Sequence, residues 1–283
     1  MKEKYQSLSP FLQASFLLLI GAVSVVLLSV IISIIISVLY PEMPTNDISI
    51  QLSSYPVQYM LIQFLPFQLG FLLIPALLYI KLEPDEENLI RKPQFQFIVW
   101  SVLLFTCAFF LLPFFNEINI QLIQSLGVFD ELLAQKESSD RMLKSLVGPV
   151  GSTSFIIAVL IIGVITGIAE ELAFRRFLFH HILKNNKKVM PSILISAVVF
   201  AVLHFNYIQI IPLLVFGVAL GLMYYVSGSI IPGIVVHALN NILNVYWLSE
   251  DTFPTWMMEI DLKITIPTTL LLMGLIFYYI RKK

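Results

Sequence analysis

From Phe11 to Leu39 no charged side chain interrupts the chain, and further long apolar runs recur down its length. A helix needs about 20 consecutive apolar residues to cross the ~30 Å hydrocarbon layer of a bilayer. Inside that layer a helix satisfies its own backbone hydrogen bonds, whereas an open strand leaves an unpaired edge. The runs here are continuous rather than alternating, so strands are not expected. Composition agrees. Hydrophobic residues make up 58% of the chain and charged residues only 12%, against roughly 25% charged in a soluble domain. A water-soluble fold could not cover itself with so few polar side chains. The expected fold is all-α, a polytopic integral membrane bundle of about eight transmembrane helices. They fall near residues 11–39, 57–80, 97–115, 154–183, 191–205, 210–226, 230–248 and 264–280. The first run follows Lys2 and Lys4 and far exceeds the ~7–15 residues of a signal-peptide core, so it reads as a retained span.

The net charge of −1 gives no footing for a nucleic-acid partner. The single cysteine, Cys107, lies in an apolar run and cannot form an internal disulfide. Orientation follows from the basic residues. With the N-terminus inside, the inner segments hold Lys2, Lys4, Lys81, Arg91, Lys92, Lys184, Lys187, Lys188, Arg281, Lys282 and Lys283. The outer segments hold Lys136, Arg141, Lys144 and Lys263. That bias predicts both termini on the cytoplasmic side, at the plasma membrane if the host is bacterial. The long connection over 116–151 contains an amphipathic pattern at 128–147, with Leu132, Leu133, Met142, Leu143 and Leu146 on one side. It reads either as a helix lying at the outer surface or as a solvated loop helix.

Two regions differ in chemistry. Residues 1–153 form a region of apolar helices and the outer amphipathic segment, without a histidine. Residues 154–283 hold all four histidines, His180, His181, His204 and His237, and the acidic pair Glu170–Glu171 inside an apolar run. A carboxylate near the bilayer centre costs several kcal/mol and usually faces a bundle interior or a wet cavity with a functional purpose. Arg175 follows Glu171 by one helical turn, so the two can pair. The competing reading is a helix that leaves the membrane by Glu170, with Arg175, Arg176, His180 and His181 forming a solvated end. His204 sits at the end of an apolar run, where a backbone carbonyl alone could satisfy it. His237 and Asn241 share a helical face and could equally be polar glue between helices.

The turn around Lys187 joins two of these signals. Glu170 and His204 stand equally far from it in sequence, about 25 Å along each helix at ~1.5 Å per residue. An antiparallel hairpin therefore brings them to one depth. His237 lies too close to the Ser227–Ser229 turn to come level by the same argument, so tilt, re-entry or a break near Pro232–Gly233 is needed. A glutamate and a histidine meeting in a buried wet pocket can share and deprotonate a water, and nearby donors can hold an oxyanion. Alternatively, Glu170, His204 and His237 form a donor set known for catalytic zinc, although no HExxH helix is present.

At these residues the chain resembles the CAAX-processing and bacteriocin-immunity membrane protease family, also called the type II CAAX prenyl endopeptidase or Abi family. The family pattern is EExxxR, FxxxH and HxxxN on successive helices. Here it stands as Glu170-Glu171 with Arg175, Phe200 with His204, and His237 with Asn241. The resemblance covers about residues 154–248. It implies an eight-helix bundle with a cavity open toward the cytoplasmic side. Glu170 and His204 would activate water, His237 and Asn241 would stabilise the oxyanion, and Arg175 would hold Glu171, with no obligatory metal or other cofactor. The implied partner is a membrane-associated protein or peptide substrate in the lipid bilayer. Two other functions compete with this intramembrane endopeptidase. One is a non-catalytic membrane partner or bacteriocin-immunity protein using the same pocket. The other is a proton-coupled transporter, which would be expected to show inverted repeats and broken helices in both halves.

Overall fold

A computed structural model describes residues 2–44, 46–83, 95–250 and 262–281. Of the basic residues weighed for orientation, Arg91, Lys92, Lys282 and Lys283 lie outside these. The described residues contain helices and no strand. The long helices are α1 (Pro10–Leu39), α2 (Pro56–Leu82), α3 (Phe95–Ser125), α4 (Phe129–Val147) and α5 (Thr153–Asn186). They continue with α6 (Val189–Leu203), α7 (Ile210–Ser227), α8 (Ile231–Glu250) and α9 (Leu262–Arg281). Among them α1, α2, α3, α5 and α7 with its preceding turn are long and apolar enough to cross a membrane. The expected count of about eight spans is thus not confirmed. Helix α6, for example, has 15 residues, about 22 Å of rise.

Helix α1 begins where Ser9 accepts a hydrogen bond from Leu12 N and Pro10 takes the first helical position, a position that needs no donor. Most of its large apolar side chains are exposed, as a face meeting lipid requires. It joins α2 through glycines. A Cβ on Gly70 would lie 2.7 Å from Val25 N, and one on Gly21 would lie 3.1 Å from Phe71 O. Hydrophobicity does not drive helices together in lipid, so close backbone approach at small residues does much of the holding. The same device recurs at α6 and α7, where a Cβ on Gly217 would meet Ala197 Cα at 3.1 Å.

Helix α5 runs through the middle of the molecule. It carries two π-helical stretches, Val159–Ile165 and Leu172–Phe179, on either side of the acidic pair. Such widened turns often occur at functional positions. The helix does not end at Glu170. It continues to Asn186, and Glu170, Glu171, Arg175 and Arg176 are all buried, which overturns the reading of this pair as a solvated helix end.

The two ends of the bundle differ. At one end the start of α1, the end of α2 and the α5–α6 turn meet. Lys184 Nζ lies 2.6 Å from Glu83 Oε2, and His181 Nε2 lies 3.0 Å from Pro10 O. Buried Tyr5 closes this end, and burial, followed by the Glu83 carboxylate, pushes its phenol pKa up to about 12. At the other end α4 packs Leu146 and Val147 into a cluster with Met60, Ala158, Ile161 and Val245. The helix also carries the pairs Lys136–Asp140 and Arg141–Glu137. The amphipathic segment therefore caps the ends of α2, α5 and α8 rather than lying apart from the bundle.

Candidate active site

Five of the six residues singled out from the sequence converge on one place. Glu171 is 1% exposed and makes two contacts. Its Oε1 accepts from His237 Nδ1 at 2.9 Å, and its Oε2 lies 3.4 Å from Arg175 Nε. Arg175 is equally buried. Its Nη2 donates to Gly217 O at 3.4 Å, and its guanidinium lies over the Phe200 ring at 4.9 Å, so α5, α6 and α7 all hold it. Glu170 faces the opposite side of the cluster. Its Oε2 lies 3.3 Å from His237 Nε2 and 3.7 Å from His204 Nε2. That oxygen is buried without a hydrogen bond of good geometry.

The ring nitrogens can be assigned from their partners. A carbonyl or carboxylate oxygen only accepts. His204 Nδ1, 2.7 Å from Phe200 O, must therefore donate, as must His237 Nδ1 toward Glu171. The Nε2 atom of each ring is then the one that faces Glu170 Oε2. Phe200 and Phe216 set the His237 ring edge-on at 5.7 and 5.4 Å between centroids, and the Phe200 ring lies 4.3 Å from that of His204.

Helix packing explains these positions. A Cβ on Gly167 would lie 2.9 Å from Ala238 N, and one on Gly163 would lie 2.7 Å from Ile242 Cγ1. The two glycines let α8 press against α5 beside the acidic pair. Gly233, one turn before His237, leaves room for the Glu171 carboxylate, because a Cβ there would lie 2.7 Å from its Oε2. Glu170 and His204 do meet across the α5–α6 hairpin. His237 also comes level. Ile230, at the foot of α8, belongs to the same buried cluster as Phe179 and Ile193, so α8 starts inside the level of the Lys187 turn.

Asn241 stands one turn beyond His237 on α8. Its Oδ1 accepts from Asn240 Nδ2 at 3.4 Å, and among the described residues it makes no hydrogen bond to the other five. His180 and His181 lie apart from the site at the lysine-rich end, His180 Nδ1 being 2.9 Å from Tyr79 OH. The sequence reading passed over Asn119 of α3. This fully buried amide donates to Ile208 O at 2.8 Å and accepts from Ile211 N at 2.9 Å. It thereby fixes the segment that follows His204. It also passed over Gly163 and Gly167, although their GxxxG spacing is a known signal of close helix packing.

The zinc alternative can be tested against this geometry. The donors are of the right kind, and the Glu171 carboxylate behind His237 resembles the outer-shell support of metal-bound histidines. Yet no group of three or more His, Cys, Asp or Glu among the described residues is arranged to hold a metal ion.

A polytopic helical membrane protein with a buried glutamate–histidine–arginine cluster is the class that this fold and site define. Within it, residues 152–243 match the family model of Rce1-like type II CAAX prenyl endopeptidases. That segment contains all six singled-out residues, and it is this part of the chain that is similar to the family. No curated protein and no solved structure matched the chain.

Proposed function

We propose that the chain is an intramembrane endopeptidase that hydrolyses a membrane-associated protein or peptide with a water activated by Glu170 and His204. The observation that carries this is the meeting of Glu170 Oε2 with the Nε2 atoms of His204 and His237 at 3.7 and 3.3 Å. Three lone pairs cannot face one another in a buried place without a proton between them. Placing it on His237 Nε2 leaves Glu170 as the carboxylate and makes His237 an imidazolium between two glutamates. With Arg175⁺ and neutral His204 the cluster then has zero net charge, which suits a low-dielectric interior.

In the reaction a water gives one hydrogen bond to Glu170 Oε2, and its oxygen attacks the scissile carbonyl carbon. The proton moves to Glu170, and the carbonyl becomes an oxyanion. His237 Nε2–H donates to that oxyanion, together with the Asn241 amide, whose oxygen is the atom already engaged by Asn240. Glu170 then passes its proton to the amine nitrogen as the carbon–nitrogen bond breaks. His204, oriented by Phe200 O, holds the water. Glu171 and Arg175 act through His237 by fixing its ring and supporting its charge. No metal or other cofactor takes part.

The test is cleavage of a membrane-tethered peptide by purified protein. Glu170→Gln keeps the shape but removes the base, and turnover should fall by ~10²–10⁴-fold. Asn241→Ala removes a donor used mainly in the transition state. It should lower kcat by about 10²–10³-fold with KM little changed. Cleavage that survives Glu170→Gln at the wild-type rate would end the assignment.

A further inference from the structure

Helix α2 brings an amide to the level of the site. Its Met60 clusters with Ala158 and Ile161 of α5, its Leu72 clusters with Ala169 and Ala173, and its Tyr79 ring lies 5.1 Å from that of Phe177. The two helices therefore run side by side in one direction at a nearly constant offset. Gln68 stands one turn before Leu72, level with the turn of α5 that ends at Ala169. Glu170 comes next, and side chains on a helix lean back toward its N-terminus. His204 reaches the same level from α6. Phe200 shares the cluster of Leu72, α6 runs against α5, and His204 is displaced from Phe200 in the same direction as Gln68 is from Leu72.

The aim of the amide follows from its neighbours. Gln68 and Leu72 belong to the π-helical stretch Phe67–Leu73, which lies against Thr166–Glu171. Gly70, between them, is turned to α1, where a Cβ would lie 2.7 Å from Val25 N. The buried side chains of Gln68 and Leu72 point the other way, into the bundle. Gln68 is 7% exposed, yet its Oε1 is buried without a hydrogen-bond partner among the described residues. A polar side chain that glues helices together in lipid bonds across them. Gln68 makes no such bond among the described residues, and an orphaned buried acceptor costs stability.

Building on the peptidase reading, we propose that Gln68 is a substrate-binding residue of this site, which holds the backbone of the membrane-associated peptide beside the bond to be cut. In an extended segment the N–H and C=O of one residue point to the same side. A glutamine carboxamide meets both, its Oε1 accepting the N–H and its Nε2 donating to the carbonyl. The contact is to main chain, so it sets the register of an extended segment against the Glu170–His204 pair whatever side chains that segment carries. It also brings the first half of the chain, which holds none of the six singled-out residues, into the working site.

Gln68→Met fills nearly the same space without the acceptor, and Gln68→Leu takes its place should that variant fail to accumulate. Binding of a lipid-anchored, fluorophore-labelled peptide is measured in a Glu170→Gln background, and cleavage of the same peptide with Glu170 present. Loss of one neutral hydrogen-bonded partner should raise Kd and KM about 3–10-fold with kcat nearly unchanged. The melting temperature should hold or rise, because the unpaired amide is gone. A scan of N-methylated backbone positions along the peptide supplies the second readout. At one position methylation should weaken binding to the Gln68 protein by the same factor and leave binding to the Met variant unaffected. Equal binding to both proteins overturns the proposal, as do methylation losses that match in both proteins at every position. A shift in Kd without any cleavage by the Glu170 protein removes the peptidase reading and leaves the backbone contact standing. Cleavage with KM unmoved by the substitution does the reverse.

Discussion

Arg175 and Arg176 are neighbours in the sequence and serve different ends. Arg175 meets Glu171, Gly217 O and the Phe200 ring. Arg176 is also buried, but it lies over the Tyr79 ring at 5.7 Å, on the way to the lysine-rich end. A lysine at 175 keeps the charge and loses the planar fork that spans these partners. Arg175→Lys should therefore cut turnover by tenfold or more in a protein that still folds, because His237 loses its fixed carboxylate; tenfold corresponds to about 1.4 kcal/mol. Arg176→Lys should lower thermal stability through a cation–π contact worth ~0.5–2 kcal/mol, with kcat nearly unchanged. Equal losses of kcat from both would show that the pair only anchors α5. Metal dependence is decided at the same residues. With Glu170 and His204 sufficient to activate water, EDTA or phenanthroline should leave cleavage largely intact. Full loss restored by added zinc would instead make ligands of Glu170, His204 and His237.

Helix contacts decide whether those residues meet at all. Five of the six candidate positions were legible because an acidic pair, an arginine and two histidines stand out in helices otherwise poor in polar groups. The hairpin about Lys187 even gave the shared depth of Glu170 and His204. The level of His237 was not legible, since it depends on where α8 begins relative to α5, and no periodicity records the offset between two helices. Asn119 was hidden for a related reason: a single amide in an apolar helix shows its purpose only once the 207–211 segment lies beside it. Gly167 carries the offset. With a Cβ there 2.9 Å from Ala238 N, Gly167→Leu must push α8 outward. Overpacking typically costs ~1–3 kcal/mol, and a 1 Å displacement of catalytic groups can cost ~10²-fold in rate. The variant should remain membrane-inserted and lose most activity, while Val235→Leu on the exposed side of α8 should behave as wild type. Full activity in Gly167→Leu would mean that the α5–α8 contact does not position His237.

For the whole molecule, the apolar runs established a membrane bundle at once, but not how many helices qualify as spans, because α6 is short and α8 carries polar residues. Nor did they predict that α4 would cap the bundle. The arrangement of charges has a further bearing on how the protein is made. Glu171 and its partner His237 are 66 residues apart in sequence. At ~5–20 residues per second of synthesis, α5 waits roughly 3–13 s before α8 arrives. During that interval Arg175 answers Glu171 more strongly than Glu170 within the same helix, and Glu170 still lacks its contact with His237. Biogenesis is thus exposed to quality control until α8 docks. A chain truncated before Ile231 should be degraded quickly in pulse–chase experiments, and Glu170→Gln should lengthen the lifetime of that fragment even though it disables the finished protein. The carboxylate that serves the finished site is thus a burden on the chain that has not yet reached α8.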